Sequence, residues 1–213
     1  MEGSTVDYFI LAGLKDLAKS ALPNLLARYG ITDLNEKVTS SNTVQWEDFT
    51  INQKYVNDNE DNDNDIGIVK LKKPIDLRNG RAKVACLDFT EDYSSFLSLS
   101  GWGRTTPFGR HNQTGATLPN ELLQLDMKED KQKSTNYIIS AVGKAKNSGT
   151  CSGDSGSPLQ SVSPRKVSVV GLVSYGISNK DGIFCLSNTG FVRLKAHQRF
   201  IEQNVGADNF CRA

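Results

Sequence analysis

Ser155 lies in the stretch NSGTCSGDSGSPLQ, residues 147–160, and its surroundings suit nucleophilic chemistry. Gly153 precedes it by two positions and Gly156 follows it directly. Flanking glycines let the backbone turn sharply, so that consecutive N–H groups point toward one spot. That arrangement stabilises the oxyanion formed in acyl transfer. An ordinary glycine-rich turn has the same letters, so the stretch alone is a weak signal.

A nucleophilic serine needs a base that takes its proton. The chain contains two histidines, His111 and His197, which restricts the search for that base. The acidic run NDNEDNDND, residues 57–65, is a second candidate for chemistry, because alternating aspartates suggest calcium. An EF-hand loop, however, requires a glycine where Ile66 stands and a glutamate where Lys72 stands. We therefore predict a solvated loop there, and no metal or cofactor.

The elements that position these residues are mostly strands. Residues 5–22 place apolar side chains near helical spacing before Pro23, which predicts an amphipathic helix. After Pro23, short β-branched or alternating runs separated by turn residues predict an all-β barrel or sandwich. These runs are LLARYGI, TVQWEDFTI, DIGIVKL, SFLSLSGWG, KVSVVGLVSYG and TGFVRL. Residues 194–205, LKAHQRFIEQNV, predict a closing helix.

The charge composition bears on which classes of partner the chain is expected to bind. The chain has 213 residues, with 25 Lys and Arg against 24 Asp and Glu, so nothing favours nucleic acid or an anionic membrane as a partner. No apolar run reaches the roughly 18 residues of a membrane span. The stretch YFILAGL follows Glu2 and Asp7 rather than a basic segment, so we do not interpret it as a secretory signal.

Four cysteines without CxxC spacing argue against a zinc ribbon and favour disulfides in an oxidising compartment. The triplet Asn112-Gln113-Thr114 is an N-glycosylation sequon and points the same way.

Five segments in order resemble the chymotrypsin/trypsin-like serine peptidases. CSGDSGSPL is similar to their nucleophile motif, Gly-Asp-Ser-Gly-Gly-Pro, with Ser157 in place of the second glycine. NDIGIVKL resembles the segment of the catalytic aspartate, and LSGWGRT resembles the strand that opens the second barrel. VVGLVSYG and TGFVRLKAHQRFIEQNV resemble the strand beside the specificity pocket and the closing strand and helix. Together the segments run over residues 25–205.

The resemblance implies roles for individual residues. Ser155 would be the nucleophile, Asp65 the carboxylate that orients the base, and Gly153 and Ser155 the oxyanion-hole donors. Asp154 would pair with a newly cleaved N-terminal amine, and Cys151 and Cys185 would form a disulfide. The substrate-binding residues implied are Gly149, Thr150, Ser174, Tyr175, Gly176 and Gly190. Gly149 stands where trypsins have an aspartate, so the pocket would favour apolar side chains.

Three features depart from the family pattern. The family's base lies in an Ala-Ala-His-Cys segment before the aspartate, and residues 1–64 contain no histidine. His111 and His197 both follow Asp65 and match no triad position, so we expect them to be surface or packing histidines. No Ile-Val-Gly-Gly start is found, and Ser140 stands where a cysteine is common. Cys86 lacks its usual partner, which leaves Cys86–Cys211 as an alternative pair.

The predicted fold is an all-β double barrel of the chymotrypsin-like type with an incomplete first barrel. We expect an atypical, helical N-terminal segment over residues 1–24, a partial first barrel over 25–96, and a second barrel with a C-terminal helix over 97–213. The resemblance implies a secreted monomer that acts on protein or peptide substrates and meets protease inhibitors, with no nucleic acid or membrane partner.

Three functional hypotheses follow. The first is an active endopeptidase that forms an acyl-enzyme at Ser155. The second is a pseudo-protease that binds proteins without cutting them, although an intact GDSG is unexpected after loss of function. The third is a truncated form of an active protease, which the change in sequence texture near residue 23 favours. Since losing a triad histidine lowers kcat by about 10⁶, we expect this chain to be inactive.

Overall fold

A computed structural model describes residues 5–14, 17–55, 62–105, 108–109, 117–146, 148–164, 166–176, 183–185 and 188–213. Over these residues, thirteen strands form a sheet of four, a sheet of seven and a two-stranded pair, and one α-helix follows near the C-terminus.

The first structure is an antiparallel sheet of four strands in the order β1-β4-β3-β2. Its strands are β1 (Thr5–Leu11), β2 (Leu26–Arg28), β3 (Thr43–Ile51) and β4 (Gly67–Asp76). Val44, Phe49 and Val69 are buried on one face, where the alternation of apolar and polar residues predicts a core. This open sheet matches the prediction of an incomplete first barrel.

The prediction of a helix over residues 5–22 is wrong. Thr5–Leu11 is strand β1, and it pairs with β4 from Thr5 opposite Asp76 to Leu11 opposite Gly67. Among the described residues between β1 and β2, the one helical element is a 3-10 helix, Lys19–Asn24. Val6, Phe9 and Ile10 suit a strand as well as a helix. The unpaired edge of β4 decides between them, because hydrogen bonding to that edge satisfies the backbone of both strands.

The second structure is a closed barrel. Its six strands run in the order β10-β6-β8-β9-β13-β11, and β11 pairs back to β10. The later strands are β5 (Cys86–Leu87), β6 (Leu97–Gly101), β7 (Phe108–Gly109), β8 (Leu123–Glu129), β9 (Ile138–Gly143), β10 (Pro158–Ser163), β11 (Lys166–Gly176), β12 (Ile183–Phe184) and β13 (Thr189–Arg193). Strand β5 adds in parallel to β11, and β7 pairs with β12. Each of the six strands pairs with two neighbours, so the ring is closed.

The C-terminal helix α1 (Gln198–Val205) follows a 3-10 helix, Leu194–His197, as predicted for residues 194–205. Ile201 is fully buried in a cluster that also contains Ile68 from the first sheet and Leu172 from the second barrel. This cluster joins the two halves, and the candidate site lies beside it. The predicted all-β double barrel with a closing helix is confirmed.

Two disulfides are formed, Cys86–Cys211 and Cys151–Cys185. The first ties β5 to the C-terminal residues, whose backbone also bonds Leu87. Within the described residues, no helix has both the length and the apolar character needed to cross a membrane.

Candidate active site

Ser155 sits in a tight turn between β9 and β10. The amide of Asp154 donates to the Cys151 carbonyl (3.0 Å), and the amide of Ser157 donates to the Asp154 carbonyl (2.9 Å). Gly153 and Gly156 have φ values of 101° and 82°, in the left-handed region that favours glycine. The turn is fixed to β11 because the Gly156 amide donates to the Val173 carbonyl (2.8 Å). This turn exposes the Ser155 side chain to solvent.

The amides of Gly153 and Ser155 are the two donors that the sequence predicts for an oxyanion. Among the described residues, neither N–H group has a hydrogen-bond acceptor. Backbone donors that are not already used by the protein can stabilise an anionic oxygen on a ligand. The turn therefore offers both an exposed hydroxyl and unused N–H groups.

Asp65 lies just before β4 and is only 5% exposed. Its Oδ1 accepts the backbone N–H of Gly13 (2.9 Å), and its Oδ2 accepts the Ser174 hydroxyl (2.6 Å). The carboxylate thus links the end of β1 to β11. Asp65 and Ser174, both predicted site residues, are in direct contact here.

Gly13 and Leu14 are site residues that the sequence analysis missed. A Cβ added to Gly13 would lie 3.4 Å from the Ser155 Cβ, so the backbone at position 13 lies close to Ser155 while its N–H bonds Asp65. Leu14 follows, and its side chain packs against Gly67 and the core of the first sheet. Neither side chain can accept a proton. The signal that could have located them is the alternation over residues 5–11, which reads as a strand that ends at Ala12-Gly13.

His197 does not contact Ser155 or Asp65. It is 3% exposed, with Nε2 2.8 Å from the Asp63 carbonyl oxygen and Nδ1 3.4 Å from the Asn52 side-chain nitrogen. These partners assign the proton to Nε2, because the Asn52 amide donates to Nδ1. Burial lowers the pKa of His197, the bond to Asp63 opposes that shift, and the Lys54 charge adds to it. His197 is therefore a packing histidine, as expected, whereas His111 and the sequon at Asn112 lie outside the described residues.

Asp154 turns away from Ser155 into the protein and is 7% exposed. Its Oδ1 accepts the Gly103 amide (2.9 Å) and its Oδ2 accepts the Cys151 amide (2.9 Å). Burial raises the pKa of Asp154, while these two backbone hydrogen bonds act in the opposite direction. Its predicted pairing with a cleaved N-terminal amine stays a prediction.

The predicted substrate-binding residues lie on β11, on β13 and in the segment just before the Ser155 turn. Thr150 is buried, and its hydroxyl lies 2.5 Å from that of Thr189. The Cys151–Cys185 disulfide adjoins this contact, with Gly149 one residue before Thr150. Tyr175 pairs with Gly190 across β11 and β13, and Gly176 pairs with Thr189. Along Ser174–Gly176, no described strand pairs with the other edge of β11.

In the part of the chain that the structure describes, no group of three or more His, Cys, Asp or Glu side chains could hold a metal ion. Ser140 lies in β9, where its hydroxyl accepts from the Asn188 side chain (3.2 Å). The groups at this site that can take part in chemistry are the exposed Ser155 hydroxyl, the unused amides of Gly153 and Ser155, and the buried Asp65 carboxylate.

Comparison with known proteins supports the resemblance. A family model described as Trypsin matches residues 18–192. Complement C1s subcomponent of Rattus norvegicus is 32% identical over 135 residues, which is 54% of this chain and 19% of that protein. Chymotrypsin of Phaedon cochleariae is 25% identical over 179 residues, which is 81% of this chain and 60% of that protein.

Among solved structures, neuropsin, a serine protease expressed in the limbic system of mouse brain, superposes with a TM-score of 0.71. The identity is 20%, and the match covers 92% of this chain and 84% of neuropsin, so this likeness shows the fold. The chain spans from about a fifth to three fifths of the length of the two curated relatives above.

Proposed function

The chain belongs to the trypsin family, and we propose that it binds peptides at the family's cleft without hydrolysing them. The observation that carries this proposal is what surrounds the Asp65 carboxylate. Its two oxygens accept hydrogen bonds from the Gly13 amide and the Ser174 hydroxyl, and the residue that follows Gly13 is Leu14 rather than a histidine.

Hydrolysis by a serine, a histidine and an aspartate needs an imidazole between the hydroxyl and the carboxylate. Leu14 stands after Ala12-Gly13, in the order in which the family has Ala-Ala-His, and it offers no proton acceptor. The two nitrogens of His197 are engaged by Asp63 and Asn52. Loss of the histidine costs about 10⁶ in kcat, or roughly 8 kcal/mol of transition-state stabilisation. On this proposal Ser155 stays an unactivated alcohol.

Two features support peptide binding. The edge of β11 along Ser174–Gly176 lies next to Asp65 and close to Ser155, and an extended peptide can pair with such an edge. The unused amides of Gly153 and Ser155 can donate hydrogen bonds to a peptide carbonyl oxygen. Gly149 brings no counter-charge, so we propose a ligand with an apolar side chain. The ligand is a protein segment or peptide, and protease inhibitors are the second ligand class.

We propose an extracellular location, because two disulfides tie the chain together and such bonds persist in oxidising compartments. A monomer remains our expectation for the assembly.

Peptide hydrolysis is the second candidate function. It is favoured by the exposure of Ser155 and by the two unused amides beside it. It requires a base that neither Leu14, which has no titratable group, nor the engaged imidazole of His197 supplies.

A fluorophosphonate label separates the two functions, because it reacts with an activated serine hydroxyl. We expect the purified chain to label no faster than its Ser155→Ala variant, while an active trypsin-family peptidase labels under the same conditions. A peptide with a central apolar residue should bind, as measured by calorimetry, and be recovered uncut by mass spectrometry. Labelling of Ser155 in the unmodified chain, or cleavage of the peptide that Ser155→Ala abolishes, would overturn the proposal.

A further inference from the structure

A cleft of about 490 Å³ opens between the first sheet and the C-terminal helix α1. One wall is formed by residues 50–54, at the end of β3, and the other is formed by side chains of α1 and of the turn before it. Its volume lies within the range of about 300–1,000 Å³ that small-ligand sites occupy. None of its lining residues belongs to the Ser155 turn or to the predicted substrate-binding residues, so the cleft is a separate site.

The cleft is positively charged. Lys54 lines one wall and Arg199 lines the other, and no described Asp or Glu residue lines it. Both cations are exposed, and neither forms an ion pair with a described residue. Because no carboxylate within this lining neutralises the two charges, the cleft attracts an anionic group on a ligand.

Three amide side chains share the lining with these cations, Gln53, Asn64 and Gln203. Over the part of the chain that the structure describes, none of the three side chains has a hydrogen-bond partner. Arg199 and Gln203 are one turn apart on α1, so their side chains share one face of the helix. Each amide offers two donor hydrogens and an acceptor oxygen, which a hydroxyl satisfies from either side, whereas a carboxylate can only accept.

Two aromatic rings complete the cleft. Tyr137 is 43% exposed, and its ring lies 6.2 Å from the imidazole of His197, centroid to centroid, at an angle of 48°. Phe200 is partly buried against the apolar cluster that joins the two halves. Aromatic surface left open beside polar groups can cover the apolar face of a ligand that also carries hydroxyls.

We propose that this cleft binds a carboxylated sugar, of the uronic acid class, within an acidic glycan. The carboxylate would lie between Arg199 and Lys54, since a planar carboxylate can accept two parallel hydrogen bonds from a guanidinium. The sugar hydroxyls would bond the three amides, and the C–H face of the ring would cover Tyr137. An acidic peptide satisfies the cations but brings few hydroxyls to the amides. The site goes beyond the proposed peptide-binding function and does not depend on it.

The first test varies the ligand. Calorimetry measures binding of the full chain to a hyaluronan tetrasaccharide, which contains glucuronic acid, and to the same tetrasaccharide with its carboxyl groups reduced to alcohols. We expect the reduced form to bind at least about tenfold more weakly, because it keeps the hydroxyls and loses the charge. A terminally blocked Glu-Ala-Glu-Ala peptide has the same number of carboxylates and should also bind at least about tenfold more weakly than the tetrasaccharide.

The second test varies the protein. Lys54→Met and Arg199→Met should each lower the affinity for the tetrasaccharide about tenfold, and Gln203→Leu should lower it about threefold. Lys195→Met is the matched control, because Lys195 is also exposed and precedes α1 directly, but pairs with Glu91 (3.0 Å) and does not line the cleft. Its affinity should stay within about twofold of the unmodified chain. Circular dichroism and thermal melting check that each variant is folded.

Four results would each overturn the proposal. They are no binding of the tetrasaccharide by the folded unmodified chain, equal binding of the reduced form, equal binding of the acidic peptide, and a loss in Lys195→Met as large as that in Arg199→Met. The last would show attraction to the overall charge rather than to the cleft. Fluorophosphonate labelling reports on Ser155 alone, so a failure here and a failure of the proposed function can be told apart.

Discussion

The two β-structures of this chain share a fold plan but differ in closure and in what they contribute to the site. The second is a closed ring of six strands with a core that includes the fully buried Phe191 and Ile139. The first is an open sheet of four, and many side chains around Phe49 are only partly buried.

The site reflects the same division. The second barrel supplies Ser155, the unused amides and the predicted substrate-binding residues on β11 and β13. The first sheet supplies Asp65 together with Gly13 and Leu14, where the pattern needs a base. On the proposed function, the first sheet lacks the base, while the second barrel keeps the groups that acyl transfer uses.

Leu14→His is the strongest test of that division. If the second barrel is competent, an imidazole at position 14 should take up a hydrogen bond to Asp65 and accept the Ser155 proton. We expect the rate of fluorophosphonate labelling to rise by at least about 10³, a fraction of the roughly 10⁶ that a triad histidine contributes. The rate is followed by gel fluorescence or mass spectrometry.

Leu14→Gln is the matched control, because it adds polarity without a base of suitable pKa and should leave labelling at the starting rate. Leu14→His combined with Ser155→Ala should not label. If folded Leu14→His labels no faster than Leu14→Gln, the second barrel is not ready for catalysis and the division between the halves is wrong.

The closed barrel and the open sheet should also differ in how much stability each loses when a buried phenylalanine is removed. Phe191→Ala and Phe49→Ala remove the same atoms from sites that are 0% and 4% exposed. We expect Phe191→Ala to lower the free energy of unfolding by about 3–5 kcal/mol, because a closed ring cannot collapse onto the cavity. Phe49→Ala should cost about 1–2 kcal/mol less, since the open sheet can relax around the gap. Urea titration followed by circular dichroism measures both.

The exposed Val167 gives the reference for this pair. Val167→Ala should change the free energy of unfolding by no more than about 0.5 kcal/mol. An equal cost for the two phenylalanine variants would show that the first sheet is packed as tightly as the barrel, and closure would then explain nothing about stability.

Much of the second half was predictable from the sequence because its signals are local. The run KVSVVGLVSYG predicts a strand, and β11 is Lys166–Gly176. Ser155 and Asp65 were predicted as site residues from short motifs, and in the structure the Ser155 turn bonds β11 and Asp65 bonds Ser174. Strand β8 was missed, since LQLDMKE carries little β-branched character.

The first half was harder because its structure depends on distant pairing. Residues 5–11 fit helical and strand spacing alike, and β4, about 60 positions later, decides the outcome. Because residues 5–22 were predicted to form a helix, Gly13 and Leu14 were not recognised as neighbours of Ser155 and Asp65. Cys86–Cys211, 125 positions apart, was left as one alternative because spacing alone does not give disulfide connectivity.

The joint between the halves should depend on pH through His197. Its imidazole, on the second half, bonds the Asp63 carbonyl and the Asn52 side chain of the first. Its pKa in the folded chain lies below the ordinary 6.5, chiefly because of burial. An unfolded chain therefore binds a proton near pH 6.5 while the folded chain does not. The stability that the neutral ring provides is fully present above that pH and is lost as the pH falls through the lowered folded pKa.

We expect the free energy of unfolding of the unmodified chain, measured by urea titration from pH 7.5 downward, to fall more steeply than that of His197→Gln. Glutamine keeps an amide N–H for Asp63 and a carbonyl oxygen for Asn52, but it does not titrate. His111 is present in both proteins and cancels in the difference. Parallel curves across this range would show that protonation of His197 does not weaken the contact between the open sheet and the closed barrel. That contact would then depend on the shared apolar cluster around Ile68 and Ile201 alone.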